Sequence, residues 1–272
     1  MKITTRKYWD DLWASNSDSV VIDTEGTDIH QWINHKFHEY FSKVFKGLAT
    51  EGQRLLELGC GGSTWLSYFA KEYGFKVTGL DYSEKGCALA RSFLQNEGIS
   101  GEIICADLFK PPENMIAAYD IVISFGLVEH FNDTTACLVA VRKFLKTGGL
   151  LITFIPNMVG LNGWLQKKLN KRIYALHIPL DSSDLMSAHR DAGISFVEGE
   201  YFLSFNSSVV NIGGFNKKSK AFKFRRLLFY FLYQLSKAIW VLERFHLFLP
   251  ATRSFSPYIV CTGRKLPDQV LG

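Results

Sequence analysis

Paired cysteines are missing from this chain of 272 residues. The five that occur, Cys60, Cys87, Cys105, Cys137 and Cys261, are odd in number and widely scattered, with no Cys-x-x-Cys pair and no Cys/His spacing suited to zinc. Disulfides and a bound metal are therefore not expected. No apolar run of about twenty residues escapes interruption by charge, which argues against a membrane span. The opening stretch from Met1 to Asp10 is polar and lacks the apolar centre of a signal peptide, so a reducing, cytoplasmic setting is expected. Nothing repeats at a solenoid period. An acidic excess is also absent: the formal net charge is +5. That mild basic bias suits an anionic substrate or an anionic membrane surface and does not by itself indicate nucleic acid.

Apolar residues make up 47% of the chain and charged residues 21%, a balance that builds a core and excludes a disordered or fibrous class. Aromatics reach 14%, with 22 Phe, and the excess lies largely in the second half. From Arg54 a strand, a glycine-rich turn (Gly59-Cys60-Gly61-Gly62) and a helix over Ser63–Tyr73 follow one another. Lys76–Leu80 reads as a second strand ending at Asp81, with Ser83 capping a helix through Ala90 and Gln95. Gly101–Ala106 is a third strand ending at Asp107, and Tyr119–Ser124 a fourth. A helix over Thr134–Leu145 leads to a fifth strand at Gly148–Phe154, and Ser195–Phe205 and Ser256–Gly263 complete seven.

Short, continuously apolar strands separated by helices predict an α/β fold: a Rossmann-like, seven-stranded, mostly parallel sheet with helices on both faces. Ligands in such sheets sit at the carboxyl ends of the strands. Ile29–Phe45 reads as an aromatic-rich amphipathic helix, so residues 1–50 are expected to form an N-terminal helical lid. Residues 51–265 are expected to form the main domain, with 266–272 a tail. A helical insertion at about 213–250 precedes the last strand. Its basic front (Lys217, Lys218, Lys220, Lys223, Arg225, Arg226) leads into Leu227–Tyr233, while Gln234, Lys237, Glu243 and Arg244 interrupt it. It therefore reads as amphipathic, either a packed cap or a membrane-facing helix.

A glycine turn after a strand lets backbone approach a ligand, and the following helix aims its free N–H groups at it. Here the turn stands in register with Glu57 before it, Asp81 at the end of the second strand and Asp107 at the end of the third. Three acids at three consecutive strands suit a ligand with a ribose diol, an adenine amine and a cationic amino-acid end. In this register, and in Asp120 and Leu145–Leu150, the chain resembles the class I S-adenosylmethionine-dependent methyltransferases. The resemblance implies that Gly59-Cys60-Gly61 wraps the methionine part, with Glu57 in the strand before it. Asp81 would hold the ribose hydroxyls, Tyr82 would pack near the adenine, and Asp107 with Leu108 would read its edge. Ser124 and Gly126 would lie beneath the sulfonium. Tyr8, Trp9 and Trp13 resemble an N-terminal segment that closes over the cofactor. Ser63 stands where the family usually has glycine, and Gly62 can serve instead. A dinucleotide-binding dehydrogenase also wants glycines and an acid after the second strand, but places its third glycine at a wider spacing.

By the same resemblance, Glu129-His130 sits beside the methyl group, so His130 is the first candidate for the base that deprotonates a hydroxyl, with Glu129 beside it. His177 is the second candidate. Asn157 is expected to cap the helix that follows, and His189 to be an ordinary helix residue. No Asn-Pro-Pro-Tyr run follows the fourth strand, which argues against base methylation and nucleic-acid partners. There is no acidic cluster of the kind catechol-type enzymes need. The expected activity is O-methylation of a sugar, glycan or other small-molecule hydroxyl, with a resemblance to bacterial surface-polysaccharide enzymes. The alternatives are a quinone or lipid acceptor, with the chain peripheral at the inner membrane face, or a subunit that binds S-adenosylmethionine without transferring its methyl.

Overall fold

Alternate side chains of the strand Arg54–Leu58 enter different layers: Leu55 joins one apolar cluster and Leu56 the other. That alternation, repeated across the sheet, explains why the strands read as continuous apolar runs. The computed structural model describes residues 2–15, 21–24, 26, 28–207, 209–211, 213 and 219–267. The lysines expected at 217 and 218, and 268–272 of the expected tail, lie outside the described residues.

In chain order the elements are α1 (Arg6–Ser15), α2 (Trp32–Val44), β1 (Arg54–Leu58), α3 (Trp65–Tyr73), β2 (Lys76–Asp81), α4 (Glu84–Asn96), β3 (Glu102–Cys105), β4 (Tyr119–Phe125) and α5 (Thr134–Arg142). They continue with β5 (Leu145–Pro156), α6 (Leu161–Leu169), α7 (Lys171–Tyr174), α8 (Ser182–Asp191), β6 (Ile194–Phe202), α9 (Lys220–Arg244) and β7 (Tyr258–Lys265). The sheet runs β3-β2-β1-β4-β5-β7-β6, with β7 antiparallel between β5 and β6 and the other pairs parallel. Strand order reverses between β1 and β4, and the crevice at their carboxyl ends is where such sheets bind ligands.

Phe37, Phe41 and Phe45 recur every four residues from α2 and stack in sequence, with centroids 6.2 and 5.8 Å apart. They pack with α3 and α4 on one face, while α5 and α8 cover the other. Two boundaries differ from the sequence reading for one reason. The expected helix to Leu145 ends at Arg142, and β5 begins at Leu145 rather than Gly148, because Leu145 pairs with Tyr119 across a bulge. Asn157 does not cap a helix: its amide donates to the carbonyls of Arg253 and Ser256, and its oxygen accepts from Val159 and Gly160 N–H. His189 lies on α8 as expected, but it is fully buried, with Nδ1–H donated to Leu185 O and the Thr153 hydroxyl 3.0 Å from Nε2.

Candidate functional site

At the crevice, Gly59 opens the turn after β1 in the left-handed region, φ +74°, which a side chain would resist. Gly61 then brings backbone against its surroundings: a Cβ there would lie 2.5 Å from Trp13 Nε1 and 3.0 Å from Asp81 Oδ2. The Gly61 N–H donates to Asp81 Oδ2 at 2.9 Å and the Ser83 N–H to Oδ1 at 2.7 Å, which fixes the carboxylate and leaves lone pairs on both oxygens. Burial pushes the Asp81 carboxyl above its usual range, against these donors. Glu57 is buried beneath the turn, where burial pushes it up to about 8 although the Ser63 hydroxyl donates to it at 2.8 Å. Ser63 therefore has a part of its own where the resemblance leads one to expect glycine.

These groups line a cavity of about 340 Å³ together with Tyr82, Asp107, Leu108 and Gly126. Burial opposes ionisation of Asp107, but the Lys2 ammonium at 2.8 Å and the Phe109 N–H hold it below the usual carboxylate range. The same ammonium sits 4.3 Å from the Tyr82 ring centroid. Lys2 and Trp65 were not singled out from sequence; a lone lysine near a terminus carries no local signal that it lies across from residue 107. The N-terminal segment is tied over the cavity by Ile3 N–H to His130 O, by Ser83 hydroxyl to Asp10 and by Arg6 to Glu84. Trp13 lies on the glycine turn with its buried indole N–H lacking a partner among the described residues.

Three residues expected at the cofactor do not line this cavity. Tyr8 packs edge-on against Trp9 instead, with centroids 5.2 Å apart. The Cys60 thiol points into the core, 2.5 Å from where a Gly79 Cβ would stand, because the turn directs its backbone outward and its side chain inward. Ser124 is 1% exposed and its hydroxyl is buried.

A second cavity of about 450 Å³ adjoins the first, and Trp65, Phe125, Gly126 and His130 line both. Its wall is largely apolar and rich in aromatic rings, with Phe37, Phe154 and Tyr258 beside Ile33, Ile155 and Val209. Glu129 and His177 open here rather than onto the first cavity. The fold brings the two candidate histidines together, ring centroids 4.6 Å apart, because Ile178 N–H donates to Glu129 O and pins the segment after α7 against the turn Val128–His130. His130 Nδ1 is 2.6 Å from Leu176 O and His177 Nδ1 is 2.9 Å from Ile173 O. A carbonyl only accepts, so both Nδ1 atoms carry the proton and both Nε2 atoms keep a lone pair. Burial lowers His130 to about 4, with His177 adding to the effect, and lowers His177 as well. Glu129 is 1% exposed and burial pushes it up to about 8.

The paired N–H donors on Asp81, the Gly61 cradle and the unpartnered Trp13 N–H fit a ligand with a diol and a hydrogen-bonding amino-acid end. Comparison with known proteins agrees. Residues 56–153 match a family model described as a methyltransferase domain. A ubiquinone biosynthesis O-methyltransferase of Cereibacter sphaeroides is 29% identical over 164 residues, covering 56% of this chain and 64% of that protein. One from Idiomarina loihiensis is 31% identical over 114 residues, covering 42% and 46%. The chain thus spans a little under two thirds of the length of the first of these relatives and less of the second. Among solved structures, the [4+2]-cyclase SpnF superposes with a TM-score of 0.61 at 17% identity, over 98% of this chain and 97% of that one. Phosphoethanolamine N-methyltransferase 2 of Haemonchus contortus, in complex with S-adenosyl-L-methionine, gives a TM-score of 0.57 at 15% identity, over 90% and 59%.

Proposed function

We propose that the chain, whose residues 56–153 match a methyltransferase domain model, is a class I, Rossmann-like S-adenosylmethionine-dependent methyltransferase that methylates a hydroxyl on an aromatic or quinol-like, lipid-soluble acceptor. The observation that carries this reading is the second cavity, rich in aromatic rings and joined to the cofactor cavity at His130. When bound, the cofactor supplies an electrophilic methyl group on a sulfonium. Asp81 holds the ribose hydroxyls, Trp13 and the glycine turn enclose the amino-acid end, and Asp107 reads the adenine edge. The N-terminal segment serves as a lid that excludes water from the reacting groups. His130, the one member of the Glu129–His130–His177 cluster that lines both cavities, accepts the hydroxyl proton at Nε2.

A sugar acceptor has less support. A glycan needs hydrogen-bonding side chains along its length, whereas aromatic and aliphatic groups make up most of this wall. The likeness to ubiquinone biosynthesis enzymes favours the quinol-like choice. Helix α9 supports a lipid setting. Its inner side packs on α6 and buries Trp240, while Phe224, Leu227, Phe231 and Leu235 form an exposed stripe at three- and four-residue spacing, continued two turns on by Leu242. Lys223 and Arg226 stand exposed at its front end, suited to anionic headgroups. No helix of the described residues is long and apolar enough to cross a membrane.

Calorimetric titration of S-adenosylmethionine, S-adenosylhomocysteine and NAD into the wild type and Asp81→Ala tests the cofactor. Both sulfur ligands should bind and NAD should not, with a roughly 10- to 100-fold loss in the variant from its lost charged hydrogen bonds. Binding of NAD alone would replace this reading with a dehydrogenase. A catechol with a short prenyl tail, set against a nucleotide sugar, tests the acceptor; methylation of the sugar alone would overturn that choice.

A further inference from the structure

We propose that Cys87 and Cys105 form a reversible redox pair beside the cofactor cavity, closing to a disulfide when a peroxide reaches Cys105 and weakening the hold on the cofactor. The effect on the cofactor rests on the reading of that cavity as the S-adenosylmethionine site. Of the five cysteines, Cys105 alone is exposed. It ends β3, where the Arg6 guanidinium lies 3.8 Å from its sulfur. An accessible sulfur beside a fixed cation is where an oxidant reacts first. Cys87 supplies the second sulfur. It stands in the first turn of α4, fully buried, with its thiol 3.4 Å from Asp81 O and 3.9 Å from Ile104 O, the carbonyl that precedes Cys105. The two thiols meet there: burial pushes that of Cys87 up to about 12, and Cys105, hydrogen-bonded to it, adds to the rise. An exposed thiol backed by a buried one is the arrangement of a sensor and its resolving partner.

The chemistry balances with hydrogen peroxide as the oxidant. The Cys105 sulfur, as its thiolate, attacks one peroxide oxygen; an S–O bond forms, the O–O bond breaks, and the departing hydroxide takes up the thiol's proton as water. The Cys87 sulfur then displaces hydroxide from the sulfenic acid: the S–S bond forms, the S–O bond breaks, and the Cys87 proton leaves with the hydroxide as a second water. Two electrons pass from the sulfurs to the peroxide, and a dithiol returns them. The raised Cys87 thiol stays unreactive until Cys105 has been oxidised. Asp81 stands between the two sulfurs. Its Cα is paired with that of Cys105, its carbonyl accepts from the Cys87 thiol and the Ala106 N–H, and its carboxylate accepts from Ser83, the residue that caps α4. An S–S bond of about 2.05 Å is far shorter than a contact between free thiols, so closing it draws the start of α4 against β3. The Cys87 donor to Asp81 O is lost, and Ser83 moves with the helix. Cys105 also leaves Arg6, which pairs with Glu84 at 2.8 Å and ties the N-terminal lid to α4. The sequence reading expected no disulfide because the two cysteines lie on successive elements with no motif spacing between them.

Mild hydrogen peroxide on the full chain, followed by alkylation of the remaining thiols and peptide mapping by mass spectrometry, reads the pair directly. The expected result is a disulfide joining Cys87 to Cys105 within one chain, removed by dithiothreitol. Calorimetry should show S-adenosylhomocysteine affinity lowered about tenfold or more in the oxidised protein, as when a charged hydrogen bond is misplaced, and restored on reduction. Cys105→Ser, at an exposed position that does not line the cavity, should keep its affinity through the same treatment. Cys87→Ser should stop at the sulfenic acid on Cys105, trapped by dimedone. Absence of the Cys87–Cys105 link in the wild type, a link to Cys60 or between chains in its place, or an equal loss of affinity in Cys105→Ser overturns the proposal. The linked peptide is read with no ligand present, so its failure stands apart from that of the cofactor reading. Reduced protein that binds no S-adenosylhomocysteine would overturn that reading and, with it, the control of binding.

Discussion

Glu57 shows how far one residue's environment departs from its sequence context. As a letter before a glycine turn it is a plausible ligand for a cationic group, and the structure buries it beneath that turn with the Ser63 hydroxyl as a donor. Burial raises its folded pKa from the ordinary value of 4.5 to about 8. The folded state therefore keeps a proton that the unfolded chain loses between these values, and stability falls as pH rises across that window. The contribution is on the order of 5 kcal/mol, present in full below pH 4.5 and gone above pH 8. Glu57→Gln cannot lose a proton, so urea unfolding at pH 5 and pH 8 should show a shallower decline in the variant than in the wild type. Equal declines would mean that Glu57 is ionised in the folded protein. The same scale explains Asp81: its position at a strand end was legible, whereas its two N–H donors depend on Gly61 and Ser83 meeting in space.

Among the elements, α9 departs furthest from a simple reading. A cap and a membrane-facing helix were alternatives in sequence, and the helix has features of both because its two sides differ. Trp240 N–H reaches Phe205 O, Glu243 accepts from the Trp32 indole and the Ser204 hydroxyl, and Leu228, Phe229 and Leu232 pack on α6. Phe224, Leu227 and Phe231 remain 64–67% exposed. Replacing these three by Asp should abolish flotation with phosphatidylglycerol vesicles and leave S-adenosylhomocysteine binding unchanged, since none of them lines the cofactor cavity. Wild-type protein that fails to float with such vesicles, or that forms dimers through this stripe, would remove the membrane reading. Helices were expected after Asn157 and around His189, the places of α6 and α8, but without bounds, because both are short and their apolar positions are too few to set a period; α7, four residues long, carries no period at all.

For the whole molecule, the aromatic excess finds its cause in one layer. Phe41 is fully buried and meets rings from α3, β4 and β5. That layer joins the N-terminal α2 to the sheet and continues through Phe37 into the wall of the acceptor cavity. Phe41→Ala should therefore destabilise the protein by about 3–5 kcal/mol, the range for a large buried aromatic that leaves a cavity, read from the urea midpoint at constant slope. A cost below about 1 kcal/mol would show that α2 packs independently of the sheet.

The sequence by itself determined the seven strands, the helices that connect the first five of them, the glycine turn and the acids at Glu57, Asp81 and Asp107, because each is a local matter of period, turn chemistry or residue type at a strand end. Tertiary structure alone decided which of these line the cavity and which, like Cys60 and Ser124, turn into the core. It also decided that Lys2 meets Asp107 and that His177 meets His130. The physical reason is separation along the chain: contacts between distant segments follow from how layers pack and loops close, and no window of neighbouring residues carries that information.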